Sequence, residues 1–192
     1  MIKKISNNLD KIFIIILILV FFIYNLGRIE YGLPFFINLD ENTFQYSTLA
    51  YLKFLTGYSS FGYNPIYAPF FNLLLILNSI FFNEFLFNSL SLEEIKSKIY
   101  FNPEIFIFYG RIASLIVTSL SIFVLFLIFK RLKINFFIYS TLLISFSTSL
   151  LVFDIASVNG KNSYFLLFFL IQLFFFLKYL LNIEKFTLKS YI

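Results

Sequence analysis

The sequence predicts an all-α, polytopic membrane protein: a bundle of about four transmembrane helices, with further helices lying along the outer leaflet. Of its 192 residues, 60% are hydrophobic and 13% are charged, whereas a soluble domain usually has about 25% charged residues. Several apolar runs approach the ~20 residues that a helix needs to cross a bilayer. Basic residues cluster beside these runs, where they orient helices, so no nucleic-acid partner is expected.

The first apolar run covers residues 12–26, with Lys3, Lys4 and Lys11 before it and Arg28 after it. A secretory signal peptide would have a cleavage site of small residues after its apolar core. No such site follows this run. We therefore expect an uncleaved helix in the cell inner (plasma) membrane, with its N-terminus in the cytoplasm.

Four further apolar runs cover residues 66–82, 105–129, 136–153 and 164–181. The positive-inside rule indicates which of them cross the membrane. If residues 66–82 do not cross, nine of the fifteen basic residues lie on the cytoplasmic side: Lys3, Lys4, Lys11, Lys130, Arg131, Lys133, Lys178, Lys185 and Lys189. We therefore predict four spans, and residues 66–82 form a shallow helix in a long outer loop, residues 28–104.

Carboxylates concentrate on the outer side in this topology. Eight of the ten acidic residues lie there: Glu30, Asp40, Glu41, Glu84, Glu93, Glu94, Glu104 and Asp154. The absence of Cys and His excludes thiol nucleophiles, imidazole bases and Cys/His metal sites, and we predict no metal or cofactor. The sequence also has no glycine-rich phosphate-binding loop. Any chemistry is therefore expected at the outer face, on a substrate that is not linked to a nucleotide.

Asp40 and Glu41 are the leading candidates for catalysis. They open a helix-like run that ends at Gly57 and that follows an extended entry containing Pro34. One interpretation is structural, because Asp is a good N-cap and acids in a first helical turn complement the helix dipole. The functional interpretation is a carboxylate held at the membrane surface, where it could take a proton from an acceptor hydroxyl.

Four further residues are candidates for substrate binding. Tyr63 and Tyr67 flank a proline at the start of the shallow helix, although interfacial tyrosines in a turn would give the same pattern. Arg111 lies near the outer end of the second span. It could snorkel to the interface, or it could face the bundle and bind a lipid phosphate or a carboxylate. Asp154 lies at the outer end of the third span.

Small and hydroxyl residues recur at helical spacing in two spans. They are Gly110, Ser114, Thr118 and Ser121 in the second span and Thr141, Ser145 and Thr148 in the third. Such stripes allow helices to approach closely in a membrane. We expect both stripes to pack against neighbouring helices rather than to bind a ligand.

The order of these features resembles the GT-C membrane glycosyltransferases, and most closely the protein O-mannosyltransferase and aminoarabinose-transferase-like group. A first helix leads outward to a Gly-Leu-Pro entry, an Asp-Glu pair opens a surface helix, a Tyr/Pro segment starts a shallow helix, and Gly-Arg enters a span that ends in a basic cluster. The resemblance implies inverting transfer of a sugar from a polyprenyl-phosphate donor to a hydroxyl of a glycan, lipid or protein acceptor. It gives Asp40 the role of catalytic base, with Glu41 as support, and sets Tyr63, Tyr67 and Arg111 near the substrates.

Two features depart from that group. Its members often have an acid in the second outer loop, where this chain has Asn162, while Asp154 lies earlier. They also continue through more spans, so we expect residues 1–192 to form a single transmembrane domain, the N-terminal part of a longer enzyme.

The alternative is a small non-catalytic membrane protein, such as a lipid-carrier flippase subunit or an assembly partner. Transporters usually have polar residues or broken helices near the membrane midplane. The sequence has no acidic or basic residue at such a depth, and Gln172 is a polar residue there. This observation favours the enzyme over the alternative.

Overall fold

The computed structural model describes residues 2–29, 94, 103–157 and 162–190. Every regular element within these ranges is helical, which confirms the predicted all-α class. The predicted shallow helix at residues 66–82 lies outside them. The helices are α1 (Ile2–Leu26), α2 (Pro103–Arg131), α3 (Phe136–Ser147), α4 (Leu150–Ser157) and α5 (Asn162–Ser190).

Three of these helices are long and apolar enough to cross a membrane. Their spanning windows are Asn8–Leu26, Ile107–Arg131 and Asn162–Leu181. Helices α3 and α4 together qualify as a fourth, bent span. These positions agree with the four spans predicted from the sequence, and the chain is a multi-pass membrane protein.

The third span is broken, which the sequence analysis did not anticipate. The two helices α3 and α4 are bent by 55° at a break that falls at Thr148 and Ser149. Thr148 Oγ1 donates to the carbonyl of Ile144 at 2.9 Å. Ser149 Oγ donates to the carbonyl of Phe146 at 2.9 Å and accepts from the amide of Val152 at 3.3 Å. Because hydroxyls that bond the backbone compete with helical hydrogen bonds, Ser149 ends one helix and caps the next.

Helix α2 is the centre of the bundle, since it packs against each of the other four helices. Half of its spanning window is buried inside the protein, compared with 22% for α1 and 11% for α5. The outer helices leave large apolar side chains exposed, among them Val20 and Ile23 of α1 and Phe169 and Phe175 of α5. In a bilayer such faces contact acyl chains, so their exposure carries no hydrophobic cost.

One stripe of α1 faces the bundle. The buried residues of this stripe recur at intervals of four or seven positions, which is the period of one helix face: Asp10, Ile14, Phe21, Asn25 and Ile29. The apolar members pack with buried residues of α2, α3 and α4 in one core: Leu115, Ile122, Phe126, Tyr139, Leu143, Val152 and Ala156. This core joins the first three spans.

The two small-residue stripes have different surroundings. The residues of the α2 stripe are all buried, as expected for a helix contact: Gly110, Ser114, Thr118 and Ser121. The corresponding prediction for the third span is wrong, because Thr141, Ser145 and Thr148 are exposed. The Oγ1 atoms of Thr141 and Thr148 donate to carbonyls one turn back in their own helix, at 2.8 and 2.9 Å. These hydroxyls are satisfied without a second helix.

A tight turn joins α2 to α3. The amide of Ile134 donates to the carbonyl of Phe129 and the amide of Lys133 donates to that of Lys130, both at 3.2 Å, which is the pattern of a Schellman cap. Lys133 occupies the left-handed position of this cap, with φ 56°. Asn135 then caps α3, because its Oδ1 accepts from the amide of Phe137 at 3.0 Å. The turn therefore fixes the start of α3 relative to the end of α2.

Replacing Lys133 with glycine should make the protein more stable than replacing it with alanine. Both changes remove the same charged side chain, and only glycine adopts the left-handed backbone without steric cost. We expect a difference of about 1 kcal/mol in the free energy of unfolding, measured in detergent micelles. An alanine variant as stable as the glycine variant would contradict the assigned turn.

Candidate functional site

Two polar contacts between α1 and α2 define the ends of the bundle. At one end Asp10 forms an ion pair with Lys130. At the other end Arg111 donates a hydrogen bond to the carbonyl of Ile29, just after α1. Asp10, which comes early in α1, thus contacts Lys130, which comes late in α2, so the two helices run antiparallel. We call these regions the Asp10 end and the Arg111 end.

Arg111 is fully buried, with 0% of its surface exposed. Its Nη1 lies 2.7 Å from the carbonyl oxygen of Ile29. Carbonyls at the C-terminal end of a helix lack intrahelical partners and carry the negative end of the helix dipole, which a permanently charged guanidinium complements. Of the two orientations considered from the sequence, snorkelling to the interface is therefore wrong and Arg111 faces the bundle. Its role in substrate binding stays a prediction.

Further buried polar groups lie on both helices near the Arg111 end. Asn25, one turn before Ile29, is fully buried, and its Nδ2 donates to the carbonyl of Phe21 at 2.8 Å. Neither Asn25 Oδ1 nor Ser114 Oγ has a hydrogen-bond partner among the described residues. Because a buried unsatisfied polar atom costs about 1–3 kcal/mol, such groups need a partner or a purpose. They make this part of the α1–α2 interface polar in an otherwise apolar span.

Asp154 lies at the Arg111 end as well. It is exposed on α4. Its neighbour Phe153 contacts α1 near the end of that helix: the ring centroids of Phe153 and Tyr24 are 5.2 Å apart, and the guanidinium carbon of Arg28 lies 5.8 Å from the Phe153 ring centroid. The structure thus brings Asp154 to the same end as Arg111, and a role in substrate binding stays a prediction.

The remaining predicted site residues, Asp40, Glu41, Tyr63 and Tyr67, lie outside the described residues. The described flanks of their segment are nevertheless informative. The chain leaves α1 at the Arg111 end and enters α2 at the same end. The four-span topology requires this arrangement, since it treats the whole intervening segment as one outer loop.

A polar cluster that the sequence analysis did not identify lies at the Asp10 end. Asp10 is 3% exposed, and its two carboxylate oxygens accept from Lys130 Nζ and from the Tyr139 hydroxyl. Tyr139 is 1% exposed. The α2–α3 turn described above brings Lys130 and Tyr139 to the same carboxylate. The cluster therefore joins three helices through one buried charge.

Aromatic rings surround the Tyr139 side of this cluster, whereas Lys130 is exposed. The ring of Tyr139 makes edge-to-face contacts with Phe13, Phe126 and Phe136, at centroid distances of 6.4, 5.9 and 5.4 Å. Exclusion of water strengthens the hydrogen bond between Tyr139 and Asp10. One signal in the sequence could have revealed Asp10: it shares a helical face with Ile14 and Phe21, whereas counting charges treated it as a solvated residue.

A cavity of about 300 Å³ lies between α1 and the break in the third span. Its lining is almost entirely apolar and includes the buried Ser147 of α3. The residues that line it are Leu17, Val20, Phe21, Tyr24, Ser147, Thr148 and Phe153. Within the described ranges, no group of three acidic, His or Cys residues could hold a metal ion.

Comparison with known proteins adds no assignment: no family model, curated protein or solved structure matches the chain significantly.

The Asp10 cluster should behave as one energetic unit. Asp10→Asn should lower the free energy of unfolding by about 1–3 kcal/mol, because it removes a charged hydrogen-bond partner from a buried site. In a double-mutant cycle with Lys130→Met, the combined loss should be smaller than the sum of the single losses by at least about 0.5 kcal/mol. Unfolding in detergent micelles measures all four proteins.

Lys133→Met provides the matched control for this cycle. Lys133 lies in the same turn and is exposed, and no ion pair is found for it within the described part of the chain. The change in the free energy of unfolding caused by Lys133→Met should add to the loss caused by Asp10→Asn. Equal coupling of Asp10 to Lys130 and to Lys133 would mean that the ion pair does not hold the helices together.

Proposed function

We propose that the chain is part of a membrane glycosyltransferase, which transfers a sugar from a polyprenyl-phosphate donor to an acceptor hydroxyl at the outer face of the membrane. The observation that carries the proposal is the hydrogen bond from buried Arg111 to the carbonyl of Ile29. It ties together both flanks of the acid-rich segment in which Asp40 and Glu41 occur. Both described flanks of the segment therefore lie at the Arg111 end of the bundle.

In this proposal Asp40 takes a proton from the acceptor hydroxyl. The resulting oxygen nucleophile forms a bond to the anomeric carbon, from the face opposite the lipid phosphate, while the bond from that carbon to the phosphate oxygen breaks. The electron pair leaves with the polyprenyl phosphate, and the anomeric configuration inverts. Inverting glycoside hydrolases use a base on the far side of the sugar in the same way.

Arg111 holds the end of α1 and stays a candidate for contact with the donor phosphate. Its guanidinium is fully buried, and one of its five N–H donors binds the carbonyl of Ile29. Holding the flanks of a catalytic segment is a use of such a buried charge, since positioned groups lose activity when their support moves. Tyr63, Tyr67 and exposed Asp154 are the other candidates for direct contact with substrate.

One observation favours the second candidate, a non-catalytic lipid-handling protein such as a flippase subunit. The third span is bent by 55° beside an apolar cavity. Broken helices are common in transporters, where they form the binding site. This break was not predicted from the sequence, and it supplies the broken helix whose absence had disfavoured a transporter-like role.

Replacement of Asp40 distinguishes the catalytic role from the capping role. Asp40→Asn retains much of the N-capping ability and removes the negative charge that accepts a proton. In the complete native protein, transfer from a polyprenyl-phosphate sugar should fall by roughly 10²-fold or more. The melting temperature in detergent should change little. Initial rates and thermal melts measure the two effects.

Asp40→Ala is the matched control. If Asp40 only caps a helix, alanine should cost about 1 kcal/mol of stability, whereas asparagine should be nearly silent in both activity and stability. Transfer at the wild-type rate by Asp40→Asn would end the case for Asp40 as the base. A protein that transfers no sugar in any form would favour the lipid-handling alternative.

A further inference from the structure

The cavity beside the break in the third span continues along one face of α1. Its α1 lining includes Leu17, Phe21 and Tyr24, which recur at intervals of four and three residues and therefore share a helix face. Arg28 lies two residues after the end of α1 and is exposed at the Arg111 end. It does not line the cavity, but its guanidinium lies against Phe153, which does. We call the cavity together with this cation the Arg28 groove.

A contact with Phe153 holds the Arg28 guanidinium at the open end of the groove. The guanidinium carbon of Arg28 lies 5.8 Å from the ring centroid of Phe153, which itself lines the cavity. Such a cation–π contact orients the guanidinium while leaving its N–H groups available. No ion pair of Arg28 is found within the described residues.

The length of the groove matches one leaflet of a bilayer. Leu17 and Arg28 are eleven positions apart, which corresponds to about 16 Å at the helical rise of ~1.5 Å per residue. Half of a ~30 Å hydrocarbon core is about 15 Å. A cavity of about 300 Å³ is at the small end of ligand sites, which suits one chain rather than a whole lipid. An amphiphile whose anionic head lies at Arg28 would extend its chain to the break.

We propose that the Arg28 groove binds an anionic glycerophospholipid, with one acyl chain in the cavity and the head-group phosphate at the Arg28 guanidinium. Charge complementarity selects this occupant. An apolar cavity alone would accept the acyl chain of any lipid. A cation at the interface favours a lipid whose head-group phosphate has no compensating positive group. The cavity that the acyl chain fills lies beside the 55° bend. The site is independent of the proposed sugar transfer.

Native mass spectrometry of the purified protein tests this site. The protein is mixed in detergent with equal amounts of phosphatidylglycerol and phosphatidylcholine, which differ in net head-group charge. We expect one retained phospholipid per chain and about a fivefold preference for phosphatidylglycerol, the factor that one basic residue supplies at an anionic surface. Arg28→Gln should remove the preference, and Arg28→Lys should keep most of it.

A second pair of variants tests the cavity itself. Val20→Trp fills the groove and should reduce retention of both phospholipids. Ile23→Trp adds the same bulk to an exposed α1 position outside the cavity lining and should not. Since Val20 is 60% exposed and Ile23 is 67% exposed, both proteins should fold, which a thermal melt checks.

Several outcomes would overturn the proposal. Equal retention of the two phospholipids by the wild-type protein would do so, as would an unchanged preference in Arg28→Gln. Preferential retention of a polyprenyl phosphate added at the same concentration would assign the groove to that lipid instead. Loss of dimers rather than of lipid in Val20→Trp would show that a second copy of the chain covers the groove.

Asp154→Asn should leave the preference intact or raise it, because the lipid phosphate and not Asp154 is the partner of Arg28.

Discussion

The antiparallel pairing of α1 with α2 is the constraint on which the rest of the structure depends. It is fixed by one charged contact at each end, Asp10 with Lys130 and Arg111 with the carbonyl of Ile29. Apolar packing between helices is weakly directional in a membrane, because acyl chains are as apolar as leucine. Buried charged hydrogen bonds specify register instead, since an alternative alignment would leave a charge without its partner.

This constraint connects the bundle to its proposed uses. The Asp10 contact includes Tyr139 and therefore fixes the first part of the third span as well. The span bends at Thr148 and Ser149, and the cavity of the Arg28 groove lies between this bend and α1. The Arg111 contact holds the flanks of the acid-rich segment at the Arg111 end, opposite to the Asp10 end. One pair of helices thus supports both the proposed reaction site and the proposed lipid site.

The sequence predicted the spans well because the length of an apolar run is a local property. The described helices confirm the predicted positions of the spans. The sequence did not predict the break at Ser149, because hydroxyls compete with the backbone only when tertiary packing tolerates a bend. Asp10 was missed for a related reason: charge counting ignores which helix face a residue occupies. For Arg111 the sequence left two orientations open, and only the position of Ile29 decides between them. The catalytic role of Asp40 depends on contacts that no local pattern encodes.

Spin-label distances test the antiparallel pairing most directly, and the absence of native cysteine allows labels to be introduced in pairs. Leu9, Leu26, Ile116 and Leu132 are exposed, so labels there should not disturb the core. We predict short distances for Leu9–Leu132 and for Leu26–Ile116. The distance for Leu9–Ile116 should be the longest of the three, because those positions are separated by about 24 Å along the helix axis. A short Leu9–Ile116 distance together with a long Leu26–Ile116 distance would contradict the account.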